Sequence, residues 1–156
     1  IVSRGGMVKN LHGQKNLYYQ VNATYYRALG ASDEKMLLAR AIQMFMPGKP
    51  QVWYLDLFAG KNDHEAVRRA GESGHKEINR TNLSTDQITE GLKKDVVQKQ
   101  LALIRMRNTH KAFSEGAEVA ISGGERSLEI RWEYNSAFAT LYVNFESGTY
   151  TIVESK

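Results

Sequence analysis

The sequence of 156 residues contains no cysteine, so neither a disulfide framework nor a thiolate metal site can form. No two histidines stand in a His-x-x-x-His spacing, and no set of side chains suggests a tetrahedral metal site, so no metal and no cofactor is expected. No apolar run approaches the roughly 20 residues that cross a bilayer. No apolar stretch follows Ile1-Val2-Ser3-Arg4 as it would in a secretory signal. A membrane partner is therefore not expected, and the cytoplasm is the expected compartment. There is no G-x-S-x-G nucleophile motif and no glycine loop of the phosphate-binding kind. Carboxylates are abundant, yet none is marked as a catalytic pair. Glycoside chemistry needs two carboxylates facing each other across the bond, and a single acid such as Asp56 supplies one.

What is present is an ordinary globular composition, 42% hydrophobic and 24% charged. The chain is long enough for one domain with a real core. It falls short of the roughly 250 residues of a complete (β/α) barrel. It does not begin with Met, so a fragment or a processed product is expected. The net charge is +4, but the basic residues are scattered among 17 acids. The densest clusters, Arg68-Arg69 and Lys93-Lys94, are only pairs, so no nucleic-acid partner is expected.

The two prolines, Pro47 and Pro50, open the stretch on which the rest is organised. Pro47 stops a helix. Residues 52–55 are a short apolar run, and a polar loop hinged on Gly60 follows. A buried strand over 51–55 opening into a functional loop has this form. Ahead of it, Ser32 is an N-cap with Asp33 and Glu34 in the first turn. The helix over 34–45 is apolar around most of its circumference and should be buried on most sides. Helix, short loop and strand form half of a parallel βαβ unit.

Residues 58–82 read as loop with a short helix over 63–70; His64 and His75 are expected to be solvated there. Ser84-x-x-Gln87 is a capping box opening a helix over 85–92. The next helix, over 96–108, carries Val97, Leu101 and Ile104 on one face, with Lys99, Arg105 and Arg107 solvated. After Phe113 the periodicity switches. Leu128, Ile130, Trp132 and Tyr134 alternate with Glu129, Arg131 and Glu133, one face buried and one wet. Together with strands over 118–121, 138–145 and 149–153 this predicts a small antiparallel sheet. Near the start, Tyr18, Tyr19, Tyr25 and Tyr26 fall within nine residues. Such a cluster either packs with its hydroxyls partnered or walls a sugar pocket. The residues alone thus describe an α/β segment followed by a β domain and fix no function.

Six blocks stand out: Tyr19-Gln20-Val21-Asn22-Ala23-Thr24-Tyr25-Tyr26, Leu38-Ala39-Arg40-Ala41-Ile42-Gln43, Pro47-Gly48-Lys49-Pro50-Gln51-Val52-Trp53-Tyr54, Ala59-Gly60-Lys61-Asn62-Asp63, Glu77-Ile78-Asn79-Arg80 and Arg105-Met106-Arg107-Asn108. Together they resemble the sucrose phosphorylases of the α-amylase superfamily. The blocks keep order and spacing from about residue 5 to residue 113. The resemblance implies a fold class of α/β plus β: the end of a (β/α) TIM barrel with its last βα unit over residues 1–113, then a small antiparallel β domain over residues 114–156. It implies a retaining α-glucoside phosphorylase, whose substrates are a sugar and inorganic phosphate and whose product is glucose 1-phosphate. The family's nucleophile Asp, acid/base Glu and stabilising Asp lie in segments upstream of Ile1, so no catalytic residue is expected in this chain. The rest of the barrel is then its partner, and a homo-oligomer is left open.

The resemblance carries over binding residues. Arg80, with Asn79 beside it, matches the family arginine that holds the glucosyl unit, and a guanidinium fork suits vicinal hydroxyls. Tyr19 and Gln20 match a mobile loop on the acceptor side. The family's acidic residue before that Tyr-Gln pair is missing here. Lys9, His12 and Lys15 stand in that stretch instead, which implies a more positive subsite and an anionic acceptor such as a glycerate or a sugar phosphate. The competing reading is a non-catalytic carbohydrate-binding or assembly module built on the sheet.

Overall fold

The structure is a computed structural model that describes residues 1–11, 14 and 17–155. The chain divides into two compact units. One holds Ile1–Met36 and Val52–Val97; the other holds Leu37–Gln51 and the chain from Gln98 onward.

The first unit begins with an antiparallel hairpin of β1 (Met7–Asn10) and β2 (Tyr18–Asn22). A single turn, α1 (Tyr25–Ala28), follows; the Thr24 side chain caps it by accepting from the Arg27 amide. The expected strand over 51–55 is not there. Residues 51–53 are irregular, and α3 (Tyr54–Leu57) is one helical turn. The reason lies in where the backbone donors go. The Asp56 and Leu57 amides both donate to the Trp53 carbonyl, at 3.1 Å each, and the Phe58 amide donates to that of Tyr54. A strand needs a neighbour for these groups, and β1 and β2 pair only with each other among the described residues.

The loop after α3 ties this unit together. Asn62 Oδ1 accepts from the Thr24 amide at 2.8 Å and from its hydroxyl at 3.2 Å, while Asn62 Nδ2 donates to the Gly5 carbonyl at 2.8 Å. Asp63 accepts from the Ala66 amide at 2.8 Å and so caps α4 (His64–Ala70). Its other oxygen accepts from the Thr81 hydroxyl at 3.1 Å. Both hydrogen bonds favour the ionised carboxyl, so the Asp63 pKa lies below the ordinary carboxylate value; the Ala66 amide is the larger cause. A 3-10 segment, Gly71–Asn79, runs next, and its Ile78 is fully buried. Helix α5 (Thr85–Leu92) opens with the complete capping box of Ser84 and Gln87. Gly91 packs on the Phe58 ring so closely that an added Cβ would stand 2.5 Å from it.

Helix α2 (Asp33–Phe45) starts at Ser32, whose hydroxyl accepts from the Lys35 amide at 3.2 Å. Its part from Leu37 on lies in the second unit, where Leu37, Ala41, Met44 and Phe45 are buried at the spacing of one helix face. Arg40 is on that same face and is 2% exposed. Its Nε donates to Gln100 Oε1 at 2.9 Å, and its Nη1 donates to Gln43. Gln100, on α6 (Asp95–Thr109), is itself fully buried.

The four-stranded sheet is an antiparallel meander: β3 (Glu118–Gly124), β4 (Ser127–Tyr134), β5 (Ala137–Asn144) and β6 (Thr149–Glu154), each paired with the next. Ile130, Trp132, Ala139, Leu141 and Val143 form its buried face. The Trp132 indole N–H donates to the Phe45 carbonyl at 2.6 Å. Arg107 departs from its expected solvated role. Its guanidinium lies 4.4 Å above the Trp132 ring and 4.7 Å above that of Phe113, and it donates to the Gly48 carbonyl at 3.0 Å. A planar guanidinium, more weakly hydrated than an ammonium, suits such stacking.

Candidate functional site

Within the first unit, Gln20, Asn22, Trp53, Lys76, Asn79 and Arg80 line a cavity of about 390 Å³. Strand alternation places Gln20 and Asn22 on one face of β2. Trp53 enters from the cap of α3, and its indole N–H donates to the Asn79 carbonyl at 2.9 Å. The Asn79 side chain donates to the Ala23 carbonyl at 3.4 Å. Arg80 ends the 3-10 segment. Its ion pair with Glu77, at 3.4 Å, joins two half-exposed groups. Such a pair contributes about 0–1 kcal/mol, so Glu77 does not commit the guanidinium.

The lining is three amides, one indole and two cations, with no carboxylate. Amides and a guanidinium recognise hydroxyls, an indole face meets CH-rich sugar faces, and the cations favour an anionic group. That lining holds no pair of carboxylates. Asn22 Nδ2 is buried without a hydrogen-bond partner among the described residues, a donor that a ligand or a further segment can satisfy. Among the described residues no group of three or more His, Asp or Glu is placed to hold a metal. No described helix is long and apolar enough to cross a membrane.

Of the residues singled out in the sequence, Gln20, Asn79 and Arg80 come together in this cavity. Tyr19 does not line it: strand alternation turns it away from Gln20, and it is 48% exposed. His12 and Lys15 lie outside the described residues. Asp56 is a cap, its Oδ1 accepting the Tyr25 amide at 2.7 Å. His64 is exposed as expected, but His75 is not; it is 8% exposed, and its Nε2 lies 2.8 Å from Gln20 Oε1. Burial pushes the His75 pKa below the ordinary imidazole value, and the nearby Lys9 and Lys76 charges push it the same way. Trp53, Asn22 and Lys76 escaped the sequence reading, although Asn22 stands two residues after Gln20 in an extended stretch and Lys76 four before Arg80.

No protein-family model matches the chain. Individual proteins do. The sucrose 6(F)-phosphate phosphorylase of Ilumatobacter coccineus is 52% identical over 155 residues, covering 97% of this chain and 29% of that protein. The sucrose phosphorylase of Agrobacterium vitis is 44% identical over 137 residues, covering 88% of this chain and 28% of that protein. The crystal structure of sucrose 6F-phosphate phosphorylase from Thermoanaerobacter thermosaccharolyticum superposes with a TM-score of 0.91 at 38% identity, over 99% of this chain and 32% of that one. The chain thus spans about 29% of the length of the first of these relatives.

The helical part followed by a four-stranded antiparallel sheet is therefore the fold of one region of the sugar phosphorylases, consistent with the end of a TIM barrel and the domain after it. Within that class the chain belongs to the sucrose phosphorylase family and corresponds to its C-terminal portion.

Proposed function

We propose that this chain is part of a retaining α-glucoside phosphorylase that transfers a glucosyl unit to phosphate and releases glucose 1-phosphate, and that its own contribution is binding. In this reading residues 1–113 complete the barrel, residues 114–156 form the β domain, and the catalytic carboxylates come from the rest of the barrel. Arg80 and Asn79 hold sugar hydroxyls. Gln20 faces the acceptor or phosphate, and Tyr19 lies on the outer side of the same loop. The enzyme works in the cytoplasm, without a cofactor.

The observation that carries this reading is the shared cavity of Gln20, Asn79 and Arg80, with Trp53 as a stacking face. The acceptor is anionic in this reading. Lys76 and Arg80 make the cavity positive, and Lys9 lies close enough to His75 to lower its pKa. His12 and Lys15 would add to that charge. Relatives named for sucrose 6(F)-phosphate and for glucosylglycerate fit the same chemistry. The experiment is phosphorolysis by the full-length gene product, with sucrose, sucrose phosphate and glucosylglycerate compared. Release of glucose 1-phosphate with the highest kcat/KM on an anionic glucoside is expected; a preference for sucrose overturns the acceptor assignment.

A further inference from the structure

Gln20, like the other two amides of the cavity, has a hydrogen-bonding sense that its own chemistry leaves undetermined. An amide presents either two donors or one acceptor to a ligand, depending on which way it is turned. What turns it here is His75. The histidine sits in the 3-10 segment Gly71–Asn79, just after Gly74. An added Cβ at Gly74 would stand 2.6 Å from the Val67 carbonyl oxygen and 2.7 Å from Ala70 Cβ, so only glycine lets the segment pack this tightly on α4. That packing seats His75 at 8% exposure, with Nε2 2.8 Å from Gln20 Oε1. With Gln20 Oε1, an acceptor only, as the atom that faces Nε2, the contact is made by the tautomer that carries its proton on Nε2 and donates. The Gln20 carbonyl is thereby occupied.

We propose that His75 is a positioning residue for the proposed phosphorylase site, holding the Gln20 amide so that its NH2, not its C=O, faces the cavity. This rests on the assignment of Gln20 to the binding site. Presented this way, Gln20 adds donors to a wall that already carries Lys76 and Arg80. The wall then favours acceptor-rich groups, phosphate or carboxylate oxygens, over a neutral hydroxyl cluster. A turned amide would set a carbonyl against such a group. The groups facing His75 are Lys9 on β1, Lys76 on its own segment and the neutral Gln20 on β2. Burial lowers the His75 pKa and both positive charges push it the same way; a protonated ring would still donate from Nε2, so the contact does not depend on pH.

The test is a double-mutant cycle in the full-length gene product, read as phosphorolysis kinetics. His75→Phe fills the space without a donor, and His75→Leu is the second donor-free variant, should the first not fold. His75→Gln restores a donor at the reach of Nε2. The expected result is a rise in KM for phosphate of about tenfold with Phe or Leu, worth roughly 1.4 kcal/mol, with kcat changed much less. His75→Gln should recover most of that loss. Gln20→Ala alone should cost a similar factor, and the double variant should be no worse than either single one. Additive losses, no recovery with Gln, or wild-type KM in the donor-free variants overturn the positioning role. A Gln20→Ala variant with unchanged kinetics instead overturns the placement of Gln20 in the site, which is a failure of the functional reading itself.

Discussion

A side chain's role here is set by what the neighbouring backbone requires as much as by its chemical type. Asp63 stands in a motif-like Gly-Lys-Asn-Asp run, yet its carboxylate caps α4 and receives the Thr81 hydroxyl. Replacing it with Ala should lower stability by about 1 kcal/mol, the usual cost of losing an N-cap, measured by denaturant unfolding. Its pKa is lower folded than unfolded. The stabilisation is therefore fully present above the unfolded value of about 3.9 and disappears as pH falls through the lower folded value. The gap between wild type and Asp63→Ala should accordingly be constant from neutral pH to mild acid and narrow in stronger acid. A gap that grows on acidification contradicts this. Arg80 belongs to the same scale. Arg80→Lys should not restore what Arg80→Ala loses, because an ammonium cannot fork across two vicinal hydroxyls; kcat/KM of the two variants in the full-length protein is the check.

At the scale of elements, the sheet was legible because one rule decides it. Ile130 and Trp132 are buried and Glu133 is exposed, as alternation requires, whereas Tyr134, expected on the buried face, is 36% exposed at the strand end, and Glu129 and Arg131, expected on the wet face, are half-buried. Caps were legible for the same reason: Ser84 and Gln87 carry their geometry in their spacing. The short apolar run over 52–55 was not, since periodicity cannot separate a buried strand from a helical turn at that length. Trp53 and Tyr54 settled the matter through distant carbonyls, those of Asn79 and Thr81. Nor was the 3-10 segment legible, and with it went the burial of His75. Arg107 misled because a cation at a helical surface position usually meets water; here Phe113 and Trp132 come to it from later in the chain. Trp132→Phe should therefore cost about 1–3 kcal/mol, removing the bond to the Phe45 carbonyl and leaving that acceptor unpaired. Gly91→Ala should also destabilise, by about 1–3 kcal/mol, because its methyl meets the Phe58 ring. Thermal unfolding of both variants checks these costs, and a gain in stability for either would contradict the packing described.

At the scale of the whole molecule, two compact units carry different burdens. The unit with the sheet has its polar groups largely committed inward: Arg40 to Gln100, Trp132 to Phe45 and Arg107 to Gly48. The unit with the cavity turns amides and cations toward an open space and keeps carboxylates out of its lining. In the proposed reading this surface binds a polyhydroxylated, anionic ligand, and bond cleavage is left to groups elsewhere in the enzyme. The most direct measurement is glucose 1-phosphate release by the full-length gene product beside its Arg80→Ala variant, on sucrose phosphate and inorganic phosphate. The account predicts turnover by the native protein and a kcat/KM lower by about a hundredfold, roughly 2.7 kcal/mol of transition-state stabilisation, in the variant. An inert native protein, or a variant indistinguishable from it, would contradict the account.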